Sequence, residues 1–245
     1  MCRRKGYVSL FLDLTGVILT AGLIAICVAF ATPYWYRSHP SYVGSYVTQF
    51  QLPFDSLGLW MLCYRTYPVR PDPYWRYQVT CRTFVLSFKS DIRLPAFFVA
   101  TQVLYTIGLI LAAVAFLLHL FILGCFFTVN RAVLAVLFTI SFLAALSISI
   151  ALIIFGGRID DLGYDNRNRD WIFGARHQDF FWSYWLAIAG GILLWIATFF
   201  YVFEFFRYPS TEESKKVVKA TEVPANIITT VYYPSGPNFI PYTSV

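Results

Sequence analysis

Gly58-Leu59-Trp60-Met61-Leu62-Cys63, preceded by Trp35 and followed by Cys81, lies between the first two long apolar stretches of the chain and decides its fold. Around it the sequence alternates at the strand period in three runs. The first sets Tyr46, Thr48, Phe50 and Leu52 against Val47, Gln49 and Gln51. The second carries Leu57, Leu59, Met61 and Cys63, and the third Trp75, Tyr77, Val79, Cys81, Thr83 and Val85. Such alternation predicts half-buried strands, with both cysteines in phase with an apolar face. Pro68-Val69-Arg70-Pro71-Asp72-Pro73 is a turn region that lets the last two runs pair antiparallel. A disulfide between Cys63 and Cys81 would contribute about 3 kcal/mol and implies an oxidising compartment.

Outward from this loop the chain is apolar. Hydrophobic residues make up 58%, aromatics 20% and charged residues 13%, and mean hydropathy is +0.60. Too few charges are present to cover an ordinary soluble globule. A membrane span needs ~20 mostly apolar residues, and the stretches 14–31, 96–129, 132–154 and 180–203 meet that length without Asp, Glu, Lys or Arg. The predicted spans are 8–32, 96–124, 132–155 and 181–205, with outer loops 33–95 and 156–180. The first stretch is too long for a signal h-region and lacks a small-residue cleavage site, so it is read as retained. Thr32-Pro33-Tyr34-Trp35-Tyr36 marks its end with a helix-stopping proline and interfacial aromatics.

The turn at Asn130-Arg131 is short enough to make spans two and three antiparallel neighbours. Small residues Gly16, Thr20, Ala21, Gly22 and Ala25, and Ala144, Ala145, Ser147, Ser149 and Ala151, predict close helix packing. Arg3, Arg4 and Lys5 before the first span place the N-terminus, and with an even number of spans the C-terminus, in the cytoplasm. Residues 207–245 read as a mobile polar tail after a 1–206 membrane domain.

Trp35, then Gly58-Leu59-Trp60 with Cys63, then Cys81, carried on four spans, resemble the signature of the claudin superfamily. The resemblance covers roughly residues 7 to 206. It implies an all-α transmembrane four-helix bundle topped by a small extracellular antiparallel β-sheet drawn from both outer loops. The superfamily includes barrier claudins of tight and invertebrate septate junctions, peripheral myelin relatives and auxiliary channel subunits. Two departures mark a divergent member: the long Tyr64 to Thr80 insert between the cysteines, and Leu94-Pro95-Ala96-Phe97 where an arginine-bearing start of span two is usual. The plainest role for Trp35, Trp60 and the cysteines is to hold the ectodomain together.

The C-terminal Thr243-Ser244-Val245 fits a PDZ ligand, whose last residues add to a sheet edge. Cys2 and Cys125, beside the cytoplasmic membrane edges, suit S-palmitoylation. In the first loop Arg37, Arg65, Arg70, Arg76, Arg82, Lys89 and Arg93 stand against Asp55, Asp72 and Asp91, a net +4. If that loop lines a pore, the field favours anions; otherwise it is a solvated face. Asp13 and Glu204 lie near span ends and are expected to be solvated.

Basic residues are dispersed rather than gathered in one patch, which argues against nucleic acid as a partner. His39, His119 and His177 have no metal-ligand spacing, and no phosphate loop or nucleophile elbow is present. The expectation is therefore no enzyme, cofactor or metal. What remains is a plasma-membrane protein of cell–cell junctions that meets claudin-like partners in cis and, on the adjacent cell, in trans, within membrane lipid and tied to a cytoplasmic PDZ scaffold. The competing expectation is an auxiliary subunit of a channel or receptor.

Overall fold

The computed structural model describes residues 10–38, 54–66, 78–83, 94–124, 131–159 and 178–207, all within the unit Met1–Tyr208. Four helices dominate: α1 (Leu10–Ala31), α2 (Ala96–Leu123), α3 (Arg131–Arg158) and α4 (Trp182–Arg207). Each is long and apolar enough to cross a membrane. At 1.5 Å per residue the 28-residue α2 and α3 reach about 42 Å, beyond a ~30 Å hydrocarbon core. Large apolar side chains such as Val17, Ile24, Ile110, Ile153, Phe199 and Phe206 stay exposed on the outside of the bundle, as a lipid-facing surface requires.

Inside, α2 packs on α3, α1 on α4, and α3 on α4. Small residues set the approach, because dispersion contacts rather than hydrophobic exclusion hold helices together in lipid. A Cβ on Gly190 would stand 2.6 Å from Ile26 and 3.2 Å from the Gly22 carbonyl, so α1 and α4 meet backbone to backbone there. Ala144, Ala145 and Ala151 are wholly buried, and Ser147 Oγ donates to the Leu104 carbonyl at 2.8 Å, joining α3 to α2. Ala21 turns outward instead. Hydroxyls on the helices largely satisfy themselves: Thr15 bonds to Phe11 O at 2.6 Å and Thr198 to Leu194 O at 2.8 Å, each one turn back.

Glu204 departs from expectation. It continues the inward stripe Leu194, Ala197, Thr198 and Tyr201 of α4 and is 6% exposed, so it is enclosed by the bundle rather than solvated.

At one end of the bundle lies a five-stranded antiparallel sheet, formed by β1 (Tyr36–Ser38), β2 (Phe54–Leu57), β3 (Met61–Thr66), β4 (Gln78–Thr83) and β5 (Gln178–Phe180). Its order is β4-β3-β2-β1-β5. The strand β5 comes from the second loop, as the family resemblance implied. The last two alternating runs of the first loop do pair antiparallel, from Met61 opposite Thr83 to Thr66 opposite Gln78. The run Leu57 to Cys63, expected as one strand, is two strands around a reversal at Gly58-Leu59-Trp60. The run at Tyr46 to Leu52 and the proline-rich turn lie outside the described residues.

Candidate functional site

The sheet is fixed to the bundle where α1 gives way to β1. The Trp35 N–H donates to Leu57 O at 2.9 Å, and its carbonyl accepts from Phe181 N–H at 3.0 Å, so its backbone joins β2 to the entry of α4. Its side chain, 0% exposed, drops into the open end of the bundle. Ring centroids lie 5.3 Å from Tyr105 on α2, 5.1 Å from Phe155 on α3 and 5.7 Å from Tyr184 on α4. Its Nε1–H donates to Ala29 O on α1 at 2.6 Å. One side chain thus touches all four helices.

Gly58-Leu59-Trp60 makes a second anchor. A Cβ on Gly58 would come 2.5 Å from Pro33 Cα and Thr32 O, so only glycine lets the β2–β3 reversal lie on the end of α1. Gly58 N–H donates to Met61 O at 2.8 Å, closing the turn. Leu59 is wholly buried, and its carbonyl accepts from Gln102 Nε2 on α2 at 2.5 Å. Trp60 packs edge-on against Phe30 with centroids 5.4 Å apart. Thr32 and Ser183 share a 2.7 Å hydroxyl bond between the ends of α1 and α4.

Cys63 and Cys81 are direct cross-strand partners on β3 and β4 and form a disulfide with a Cα–Cα distance of 4.0 Å. The pairing agrees with the sequence reading, but the shared apolar face does not. Cys63 is 1% exposed, whereas every residue of β4 is exposed because β4 is an edge strand. The bond ties that edge to the interior of the sheet.

Sequence reasoning missed a buried ion pair: Arg65 Nε donates to Asp55 Oδ1 at 2.7 Å, with side chains 2% and 4% exposed. Asp55 sits at the bulge in the β2–β3 pairing. Reading Leu57 to Cys63 as a single strand hid it, because only the reversal at Gly58 brings residues ten apart face to face. These two charges cancel within the sheet, so neither adds to an outer field. Of the remaining first-loop charges, only Arg37 and Arg82 fall among the described residues. Beside them, burial raises the Tyr64 phenol above its ordinary value, while the Arg82 charge pulls the other way.

In the bundle, His119 is wholly buried and shares a 2.9 Å bond from Nδ1 to the Tyr201 hydroxyl. Among the described residues no group of three His, Cys, Asp or Glu is placed to hold a metal. Cys27 is a free, exposed thiol on α1. Cys2, Cys125, His39, His177 and Thr243-Ser244-Val245 lie outside the described residues.

Four helices able to cross a membrane, closed at one end by a disulfide-pinned antiparallel sheet that an indole plugs into the bundle, define a tetraspan membrane protein with a headpiece anchored on its helices. The family model described as PMP-22/EMP/MP20/Claudin tight junction matches residues 20–203, which include Trp35, Gly58-Leu59-Trp60, Cys63 and Cys81, and the chain belongs to that family. A comparison with curated proteins returned no match.

Proposed function

We propose that this protein is a component of cell–cell junctions that forms or regulates a paracellular diffusion barrier. The observation that carries the reading is the docking of Trp35 into all four helices. It makes the sheet a rigid extension of the membrane domain rather than a tethered flap, and a barrier element must hold its outer surface at a fixed height and angle. Strands from both loops in one sheet give a continuous platform, and family membership supports the same role. The chain acts without catalysis, by contact.

In this reading the sheet faces the extracellular space, where oxidation keeps the Cys63–Cys81 bond closed, and both termini are cytoplasmic. Like proteins associate side by side in one membrane and meet across the intercellular gap. Thr243-Ser244-Val245 docks a scaffold PDZ domain, and palmitate on Cys2 and Cys125 adds membrane attachment. Tagging the protein in an epithelium and depleting it tests the role. A belt at cell contacts with tracer leak on depletion is the expected result; an even surface distribution and co-purification with one channel would assign it to the auxiliary subunits instead.

A further inference from the structure

The sheet has two unlike faces. Tyr36, Leu57 and Leu62 belong to the core on the bundle side. Strand alternation puts their neighbours Arg37, Ser56 and Cys63 on the opposite face. The register lines these up across the strands: Asp179 opposite Arg37, Arg37 opposite Ser56, Ser56 opposite Cys63 and Cys63 opposite Cys81.

Two neighbours in that row are unsatisfied. Ser56 is 0% exposed and its hydroxyl has no hydrogen-bond partner among the described residues; the Nε of Arg37 is likewise buried and without one there. Directly opposite residues bring their Cβ atoms within ~5 Å, so a buried hydroxyl and a permanently charged guanidinium stand side by side. The guanidinium stands 5.0 Å over the ring of Phe181, a contact that orients it without satisfying its Nε–H. Among the described residues, internal carboxylates do not fill the role. Asp55 is engaged by Arg65, and the exposed Asp179 makes no ion pair with Arg37 among the described residues. Buried donors in native proteins almost always have an acceptor. Beside a cation, the fitting acceptor is negative and brings lone pairs but no protons.

We infer that the sheet face opposite Tyr36, Leu57 and Leu62 carries a buried anion site, in which Arg37 and Ser56 donate to one small monovalent anion, a halide or a carboxylate. Asp179 is the internal competitor for the same guanidinium. The site is separate from the ion pair of Asp55 and Arg65 and does not depend on a junctional role.

The full-length protein in detergent tests this through its melting temperature. Isethionate is replaced stepwise by bromide or by acetate at fixed ionic strength, so that screening stays constant. Binding to the folded state raises Tm by a few degrees, on the order expected for ligand linkage in a chain of this size, and the rise saturates. A response to bromide alone identifies a halide site, and a response to acetate alone a carboxylate site. Ser56→Ala weakens the response, Arg37→Met abolishes it, and Asp179→Asn shifts it to lower anion concentration. Should Arg37→Met not fold, Ser56→Ala and Asp179→Asn still decide, because they must move the response in opposite directions. No response in the wild type, or an identical response in all variants, would overturn the site.

Discussion

The indole N–H of Trp35 donates to the carbonyl of Ala29 at 2.6 Å, and that carbonyl is open because the residue four positions on is Pro33, which has no N–H to give it. The proline that ends α1 therefore creates the acceptor that the family tryptophan uses. Ser183 Oγ approaches the same oxygen at 3.3 Å, so α4 shares the junction.

Trp35→Phe keeps an aromatic ring among Tyr105, Phe155 and Tyr184 and loses the hydrogen bond together with the second ring of the indole. With Ser183 still near the Ala29 carbonyl, the hydrogen bond accounts for about 1 kcal/mol of the loss, and the smaller ring adds a packing loss below that of alanine. Trp35→Ala empties the plug and should cost about 3–5 kcal/mol. Unfolding of the purified variants in detergent measures both; equal losses would mean that packing contributes little.

Much of this fold was legible in the sequence because its signals are local. Uninterrupted apolar stretches pointed to the four helices α1 to α4, and alternation around Cys63 and Cys81 located the β3–β4 pair. What stayed hidden depends on tertiary contacts. The strand β5 is the three residues Gln178–Phe180, too short for a period, and exists because Arg37 and its neighbours offer an edge. The reversal at Gly58 is dictated by the nearness of Thr32 and Pro33, and the Asp55–Arg65 pair follows from that reversal. Glu204 lies near the helix end, and only the stripe it shares with Tyr201 turns it inward.

The cysteines should not be equivalent. Breaking the bond, which spans 18 residues, costs about 3 kcal/mol in Cys81→Ser, where the new hydroxyl is exposed. In Cys63→Ser the hydroxyl is buried as well, adding about 1–3 kcal/mol if it finds no partner. Reductant should lower the wild type to the level of Cys81→Ser and leave Cys63→Ser lower still, read from unfolding midpoints. Non-reducing peptide maps should join Cys63 to Cys81.

Removing one member of the buried ion pair should be worse than removing both. Asp55→Ala removes the carboxylate to which the buried Arg65 Nε donates, at about 3–5 kcal/mol. Asp55→Leu combined with Arg65→Met replaces the pair by apolar volume and should recover most of that loss. Surface delivery in cells, together with unfolding in detergent, checks the order; a double variant worse than the single would show that the charges serve more than each other.

Tyr64 supplies a pH dependence with a defined sign. Its folded-state value is raised above 10.0 by burial, so the unfolded chain ionises first. The stability this contributes is present below about pH 10 and is lost as pH climbs through the folded value. Comparing unfolding of the wild type and Tyr64→Phe across that range isolates it, and parallel curves would contradict it.

Gly16 on α1 lies directly against the imidazole of His119 on α2. An alanine Cβ there would overlap His119 Nε2 and stand 3.0 Å from Cδ2. The ring cannot swing away freely, because Nδ1 is held by the Tyr201 hydroxyl at 2.9 Å and the side chain is fully enclosed. Gly16→Ala must therefore break that bond or spread α1 from α2, a loss of about 1–3 kcal/mol for overpacking. His119→Ala alone opens a cavity and leaves Tyr201 without its partner, so it too destabilises. Combined, the methyl at 16 enters space that the ring vacated, and the two losses should fall short of additive by about 0.5–3 kcal/mol. Gly157→Ala serves as the control, since a Cβ at Gly157 meets nothing within 4 Å and alanine in a helix favours stability by about 0.5–1 kcal/mol. Strict additivity of Gly16→Ala and His119→Ala in detergent unfolding would show that the two residues do not touch, and that His119 is held by α4 alone.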